Sequence, residues 1–393
     1  MAESEKKALV AMSGGVDSSV AAYLMKEKGY SPIGVTMMLH ENDEGSIKGT
    51  HSCCTQDDIE DARVVASYLG IPFNVVNFLD GFKEKIIDKF IETYLKGETP
   101  NPCIDCNKYM KFGRLFEMAD EQGCECVVTG HYATVEKDEQ TGRYRLRRAK
   151  DRKKDQTYVL YFLSQEQLAR LVFPLGEYEK EDARDLAEAQ NLIVARKHDS
   201  QDICFVPDGD YAGFIERDAA PQVKAALEEA KDSNDPANKS AEGESTYGKF
   251  IDKNGHILGV HKGYYHYTIG QRKGLGISAE APLYVVDIIP ETNEVVLGSN
   301  DDLFRREVEA YDFNLISLPE PDNDLVLRVT AKVRYRAVDT PGTITIRKDG
   351  TATMLFDEPV RAVTPGQSLV IYDGEYCLGG GIITDNKYVN KED

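Results

Sequence analysis

The sequence predicts an α/β protein. Its leading domain is built on a parallel sheet, a small central domain follows, and the C-terminal domain is all-β and barrel-like. Three observations carry this reading. From Ala8 to about Gly130, short apolar runs alternate with helical patterns, the βαβα rhythm of a sheet covered on both faces. Residues 218–245 turn polar, rich in Ala, Lys, Glu, Asp and Asn with Pro221 and Pro236, as a linker or insertion does. Beyond them, residues 248–258 and 283–383 hold β-rich runs broken by Asn254-Gly255, Asp349-Gly350 and Asp373-Gly374, the style of a small barrel. A chain of 393 residues exceeds one ordinary core, and its domains read as 1–215, 216–280 and 281–393.

In chain order, the candidate strands of the first domain are 9–12, 33–37, 73–76 and 126–129. The candidate helices are 18–28, 57–69, 82–96 and 111–122. Residues 158–191 read as helical, with Pro174-Leu175-Gly176 as a break. Ligands of such sheets sit at the carboxyl ends of the strands. The turn after the first strand, Met37 and Gly130-His131 all follow candidate strands, so they can converge on one nucleotide.

The turn is Ser13-Gly14-Gly15-Val16-Asp17-Ser18-Ser19, between the apolar run Ala8-Leu9-Val10-Ala11-Met12 and an amphipathic helix that stops at Gly29. A strand, a Gly-rich turn and a helix N-terminus offer backbone N–H groups and a positive dipole end to one anion. Ser13, Ser18 and Ser19 add hydroxyl donors. Asp17 is an acid beside a phosphate site, which makes sense with a divalent cation between them. No Gly-Lys-Ser/Thr closes the turn, so it is not a Walker A loop. It resembles the pyrophosphate loop (PP-loop) of the ATP pyrophosphatases, which cleave ATP between the α and β phosphates and adenylate a carbonyl oxygen.

Composition narrows the class. Apolar content of 41% and charged content of 29% are those of a globular protein. No segment approaches the ~20 apolar residues that span a bilayer, and Met1-Ala2-Glu3-Ser4-Glu5-Lys6-Lys7 has no signal-peptide core. A cytoplasmic protein with no membrane partner is expected. The net charge of −20 argues against a general nucleic-acid coat but leaves room for a local patch. One run is dense enough: Arg143, Arg145, Arg147, Arg148, Lys150, Arg152, Lys153 and Lys154. On charge alone it is equally a solvated hairpin or a phosphate grip.

Eight cysteines in such a chain do not suggest a disulfide scaffold. Cys103 and Cys106 lie in the polar segment Asn101-Pro102-Cys103-Ile104-Asp105-Cys106-Asn107-Lys108, and Cys204 lies in Asp199-Ser200-Gln201-Asp202-Ile203-Cys204-Phe205. Lys108 is a cation near Cys106, and such a neighbour favours the reactive thiolate. Cys124, Cys126 and Cys377 read as small buried hydrophobes. A structural zinc site lacks a second CxxC pair. An iron–sulfur cluster held by Cys103, Cys106 and Cys204 stays open as another use of these thiols.

These segments occur in order with Gly130-His131-Tyr132-Ala133, Lys154-Asp155-Gln156-Thr157-Tyr158 and His266-Tyr267-Thr268-Ile269-Gly270-Gln271-Arg272. Together they resemble the bacterial tRNA-specific 2-thiouridylases, from about Lys7 to Ile383. The resemblance implies a PP-loop domain and ATP-dependent 2-thiolation of the wobble uridine in tRNAs for Lys, Glu and Gln. It implies ATP and Mg²⁺ as requirements, tRNA as partner, and a cysteine desulfurase or sulfur-relay protein as sulfur source. By that resemblance Cys106 is the nucleophile, Cys204 carries the persulfide, and Asp17 is catalytic. ATP contacts fall on Ala11, Met12, Ser13, Gly14, Gly15, Val16, Asp17, Ser18, Met37 and Gly130. Asn101, Pro102 and Cys103 meet the target base. His131, Lys154, Asp155, Gln156, Arg334, Tyr335 and Gln367 meet tRNA. The chain departs from the pattern at Cys103, where many members carry an acid, at the pair Cys53-Cys54, and in the length of 218–245. Two other classes stay in view: a PP-loop amidating ligase, which needs an ammonia source and not two thiols, and a non-catalytic tRNA-binding protein.

Overall fold

A computed structural model describes residues 6–39, 55–198, 203–206, 208–219 and 248–384. Cys53-Cys54, Asp199 to Asp202 and most of the polar stretch before 248 lie outside the described residues.

The first strands are β1 (Lys7–Ala11), β2 (Ser31–Met38), β3 (Phe73–Asn77) and β4 (Cys126–Val128). A hairpin, β5 (Ala133–Lys137) and β6 (Tyr144–Arg148), leaves the domain before β7 (Leu171–Val172) returns to it. The sheet order is β3-β2-β1-β4-β7, with every pairing parallel. Ala8, Leu9 and Val10 are fully buried, as expected of a central strand covered on both faces. Sequence had read 158–191 as helical around one break. The structure instead has a short helix Gln165–Arg170, then β7, a 3₁₀ turn Pro174–Glu177 and a helix Lys180–Ala189. A strand of two residues is too short to display a period of two.

Two helices flank the sheet after β1 and before β3, α1 (Val16–Glu27) and α2 (Gln56–Leu69). Helix α2 opens on a reciprocal Thr55/Asp58 capping box and closes on left-handed Gly70. Residues 79–95 are helical, with a π-turn at Lys83–Asp88. The segment 102–121 starts with Pro102 at the first helical position and widens into a π-turn, Cys106–Phe112. Such turns recur at functional sites.

The central domain is a sheet of β8 (Gly248–Asp252), β9 (Ile257–His261), β10 (Tyr284–Ile289) and β11 (Glu294–Gly298), in the order β10-β11-β8-β9. The boundary read at 281 therefore cuts through this sheet, because Glu294 to Leu297 pair in parallel with Lys249 to Asp252. Strand patterns alone do not reveal which sheet a strand joins.

The last domain comprises β12 (Phe304–Leu315), β13 (Leu325–Lys332), β14 (Thr340–Ile346), β15 (Ala352–Arg361), β16 (Ser368–Asp373) and β17 (Tyr376–Thr384). Their order β12-β15-β14-β13-β16-β17 is closed by β12–β17 pairing into an antiparallel barrel, as the β-rich reading expected. The hairpin β5–β6 extends this barrel, with Cys377 and Tyr376 of β17 pairing Leu146 and Arg147. The barrel is thereby joined through backbone bonds to a segment that follows β4 directly.

Candidate active site

The Ser-Gly-Gly turn sits between β1 and α1 at the carboxyl edge of the sheet. Gly15 caps α1, and the Ser13 backbone N–H donates to Ser18 Oγ at 3.1 Å. Ser18 and Ser19 hydroxyls donate to the Gly15 carbonyl at 3.2 and 2.9 Å. Gly14 is required twice over: its φ is +70°, and a Cβ there would lie 2.1 Å from the Asp58 carbonyl oxygen. A Cβ on Gly130 would lie 2.8 Å from Ser18 N. The loop after β4 thus packs directly on the start of α1. Ala11, Met12, Met37 and Gly130 all fall at the carboxyl ends of β1, β2 and β4, the edge where sequence placed the nucleotide.

Asp17, in the first turn of α1, is gripped from outside the loop. Lys180 Nζ donates to both carboxylate oxygens at 2.7 and 2.8 Å, and Tyr132 OH donates to Oδ1 at 2.9 Å. A second lysine, Lys197, donates to the Gly14 carbonyl at 3.0 Å and to Asp58 and Asp61 at 2.6 and 2.5 Å. These acids raise the Lys197 pKa against the opposing effect of burial. Sequence reasoning missed Tyr132, Lys180 and Lys197 as loop partners. Lys180 stands in Glu179-Lys180-Glu181-Asp182, which reads as any solvated helix start, and no short pattern separates it from one.

The chemistry of Asp17 suits a hard cation shared with nucleotide phosphates, since Mg²⁺ usually takes one or two carboxylates plus phosphate oxygens. An iron–sulfur cluster fits less well. Among the described residues, no group of three His, Cys, Asp or Glu side chains converges to hold a metal, and Cys103, Cys106 and Cys204 are all described.

Cys106 is 9% exposed at the start of its π-turn, Cys103 is exposed, and Cys204 is half-buried. Cys106 and Cys204 belong to one packed cluster. Phe205, next to Cys204, meets Phe82 and Phe90 edge-on at 5.8 and 5.1 Å, which seats its segment on helix 79–95. Beside Cys106, Asn107 is buried and donates to the Val159 carbonyl at 3.1 Å, while its Oδ1 has no hydrogen-bond partner. Lys108 faces Asp312 of the barrel at 3.6 Å. Burial pushes the Cys126 thiol up to about 11 and the Cys377 thiol up to about 12. These are inert packing residues, as their sequence context suggested.

Comparison with known proteins decides the family. The profile of the tRNA methyl transferase HUP domain matches residues 6–208, that of the PRC-barrel domain 240–299, and that of the aminomethyltransferase β-barrel domain 305–383. The tRNA-specific 2-thiouridylase MnmA of Clostridioides difficile (strain 630) is 50% identical over 379 residues, 96% of this chain and 98% of that one. The chain belongs to the tRNA-specific 2-thiouridylase family. A second relative, MnmA 2 of Caldanaerobacter subterraneus subsp. tengcongensis, is 48% identical over 97% of this chain and 98% of its own length. A solved 4-thiouridine synthetase–RNA complex with bound ATP is similar at a TM-score of 0.35 and 18% identity, covering 56% of this chain and 52% of that one.

Within this thiouridylase the residues expected to meet tRNA take varied positions. Gln367 Nε2 donates to the carbonyls of Thr99 and Pro100 at 3.0 and 3.1 Å, and Thr99 N donates to the Pro365 carbonyl at 2.9 Å. The barrel therefore holds the segment that leads into Asn101-Pro102-Cys103. Tyr335 OH donates to the Asp155 carbonyl at 3.2 Å, and Arg334 beside it is half-buried. Asp155 is buried, accepting from Ala149 N and from Thr157 Oγ1. Gln156 Oε1 accepts from Tyr132 N at 2.9 Å. Lys154 is half-buried, at the rim of this knot. His131 is 8% exposed, its Nδ1 sits 2.7 Å from Thr129 Oγ1, and burial followed by the nearby Lys111 holds its pKa well below 6.5.

Most of the basic run is engaged within the chain. Arg143 donates to the Leu318 carbonyl at 3.0 Å, and Arg145 pairs with Asp138 while covering Tyr376 at 4.0 Å. Arg147 pairs with Glu136 and Glu177, and Arg152 pairs with Glu375. Arg148, 8% exposed, pairs with Asp339 at 2.7 Å and lies 3.7 Å from the Tyr372 ring centre. The run joins the hairpin to the barrel, which neither sequence alternative described.

Proposed function

We propose that this chain uses ATP to replace the C2 oxygen of the wobble uridine in tRNA with sulfur. The single observation that carries the reading is a preformed Ser-Gly-Gly turn at the carboxyl edge of the sheet, in the same domain, residues 6–208, as Cys106 and Cys204. Membership of the thiouridylase family supports it. Oxide is a poor leaving group from a uracil carbonyl, whereas AMP is a good one. The loop N–H groups and the Ser13 hydroxyl bind the departing pyrophosphate and stabilise its charge. Mg²⁺, held by Asp17 and the phosphates, would add charge neutralisation when bound.

Sulfur then arrives on Cys204 as a persulfide. In one route the Cys106 thiolate attacks Cys204 Sγ, a disulfide forms, and the freed hydrosulfide displaces AMP from C2. In the other the terminal sulfur displaces AMP first, and Cys106 then cleaves the mixed disulfide to release 2-thiouridine. Both routes end with AMP, 2-thiouridine and a Cys106–Cys204 disulfide that an external thiol must reduce. A cysteine desulfurase or relay protein reloads Cys204, and tRNAs for Lys, Glu and Gln are the substrates. Gln367 and Tyr335, which tie the barrel to the catalytic segments, let tRNA bound on the barrel act on the loop of Asn101, Pro102 and Cys103.

The test is mass spectrometry of tRNA nucleosides after incubation with ATP, Mg²⁺, a sulfur-loaded desulfurase and the enzyme. The reading expects 2-thiouridine at the wobble position, dependent on ATP. A modified base formed without ATP, or none formed, refutes it.

A further inference from the structure

Lys180 is 6% exposed, and a lysine is almost never buried to that degree without a compensating charge. It starts the helix Lys180–Ala189, and its backbone N–H donates to Asp151 Oδ2 at 3.1 Å. That bond and the Glu179/Asp182 capping box fix where the side chain leaves the helix. Its ammonium meets both oxygens of Asp17 at nearly equal distances, 2.7 and 2.8 Å. Tyr132 adds a third donor to the same carboxylate, and Lys180 Nζ lies 5.8 Å from the Tyr132 ring centre. The Asp17 side chain keeps 32% exposure, so one side of the carboxylate still faces the mouth of the loop.

An anion loop that carries a carboxylate has an electrostatic problem. The helix N-terminus and its N–H groups attract phosphate, but an uncompensated Asp17 would repel a polyphosphate and compete for the same donors. We propose that Lys180 is a positioning residue of the ATP site, whose ammonium neutralises and orients Asp17 so that the loop can accept a polyphosphate. This rests on the reading of the loop as an ATP site. The bidentate grip has a further consequence: it holds the carboxylate in one rotamer, off the loop N–H groups, before any nucleotide arrives. The bland alternative is a staple between α1 and helix Lys180–Ala189 that acts only on stability. The two differ in sign once Asp17 loses its charge.

The test titrates inorganic pyrophosphate, without metal and in EDTA, into the full-length chain by calorimetry, with thermal melts of each variant. Lys180→Met leaves the Asp17 charge uncompensated, and its pyrophosphate affinity should fall roughly tenfold or more. Lys180→Arg keeps the charge and should retain more of the affinity than Lys180→Met. Asp17→Asn/Lys180→Met has neither charge and should regain most of the lost affinity, which a staple could not do. Lys180→Met binding as tightly as wild type would overturn the proposal. So would a double variant that stays as weak as Lys180→Met. Should Lys180→Met fail to fold, the double variant against Lys180→Arg decides, and loss of binding in the double variant counts against the proposal. Wild type that binds neither ATP nor pyrophosphate, in EDTA or with Mg²⁺, would remove the nucleotide reading itself; wild-type binding that needs Mg²⁺, or wild-type binding with an indifferent Lys180→Met, removes only the role of Lys180.

Discussion

The Ser13–Ser19 loop and the basic hairpin of β5–β6 are the two segments whose sequences point most openly to phosphate, and the structure treats them differently. The loop is acidic at Asp17, yet its backbone is held in one shape, with two serine hydroxyls folded inward and Gly14 and Gly130 packed where no Cβ fits. The hairpin is strongly basic, yet Arg143, Arg145, Arg147, Arg148 and Arg152 are engaged by carboxylates, a carbonyl and aromatic rings of the same chain. Backbone geometry, once specified by Gly and Ser, cannot be used up by a neighbour. Side-chain charge can be, and in a chain of net charge −20 there is much to use it.

The sharpest way to break this contrast uses two glycines with the same φ of +70°. Gly14→Ala forces a Cβ into the Asp58 backbone, so ATP binding and turnover should fall by roughly 100-fold or more. At Gly142, in the hairpin turn, nothing lies within 4 Å of the added Cβ. Gly142→Ala should cost only about 1 kcal/mol of stability and leave turnover intact. Equal effects in nucleotide titration and melts would erase the distinction.

Next in size is Arg148→Met, which removes a buried guanidinium from Asp339 and the Tyr372 face. It should lower stability by about 2 kcal/mol in chemical denaturation while leaving the salt dependence of tRNA binding unchanged. A flatter salt slope would return Arg148 to the RNA surface. Lys154→Ala gives the converse: tRNA binding weakens, and its salt slope flattens by about one phosphate contact, with stability and ATP affinity little changed.

A last contrast lies in pH. His131 beside the loop is held well below 6.5, and His261 in the central domain is pushed down to about 4, in each case mainly by burial. Both are neutral when folded at neutral pH, so the unfolded chain binds more protons once pH drops through ~6.5. Their contribution is complete above that pH and is lost as pH falls from there toward the folded values. Each adds about 1.4 kcal/mol per pH unit of lost stability within its window. Denaturation from pH 7 to 5 should show the loss in wild type and a flatter profile in His261→Phe.

Much of the fold was legible. The runs around Leu9, Ile33 and Cys126 became β1, β2 and β4, because a buried parallel strand is a continuous apolar run, while Phe73 opens β3, an edge strand whose residues are half-buried or exposed. The closed barrel was legible as a class from its turn signals, though its register was not. Strand β7 has two residues and leaves no pattern. The end of the central domain was misplaced because β10 and β11 look like any other hairpin, and only their pairing with β8 assigns them. In the site, the loop could be read residue by residue. Lys180 and Tyr132 could not, since 163 and 115 positions separate them from Asp17 and nothing local marks either. Asp155 and Gln156 stand beside Lys154 in sequence, but their side chains serve the backbone of the knot that the barrel rests on.

The central claim is that one loop activates the uridine with ATP while two thiols, on separate segments, deliver the sulfur. The most direct measurement is tRNA-dependent release of AMP and pyrophosphate, alongside 2-thiouridine formation, for wild type, Cys106→Ser and Cys204→Ser under a single turnover with a persulfide donor. The account predicts that both serine variants still release pyrophosphate when tRNA is present, that Cys204→Ser leaves the AMP on the tRNA, and that neither makes 2-thiouridine. Wild-type 2-thiouridine from either variant, or pyrophosphate release that is indifferent to tRNA, would contradict it.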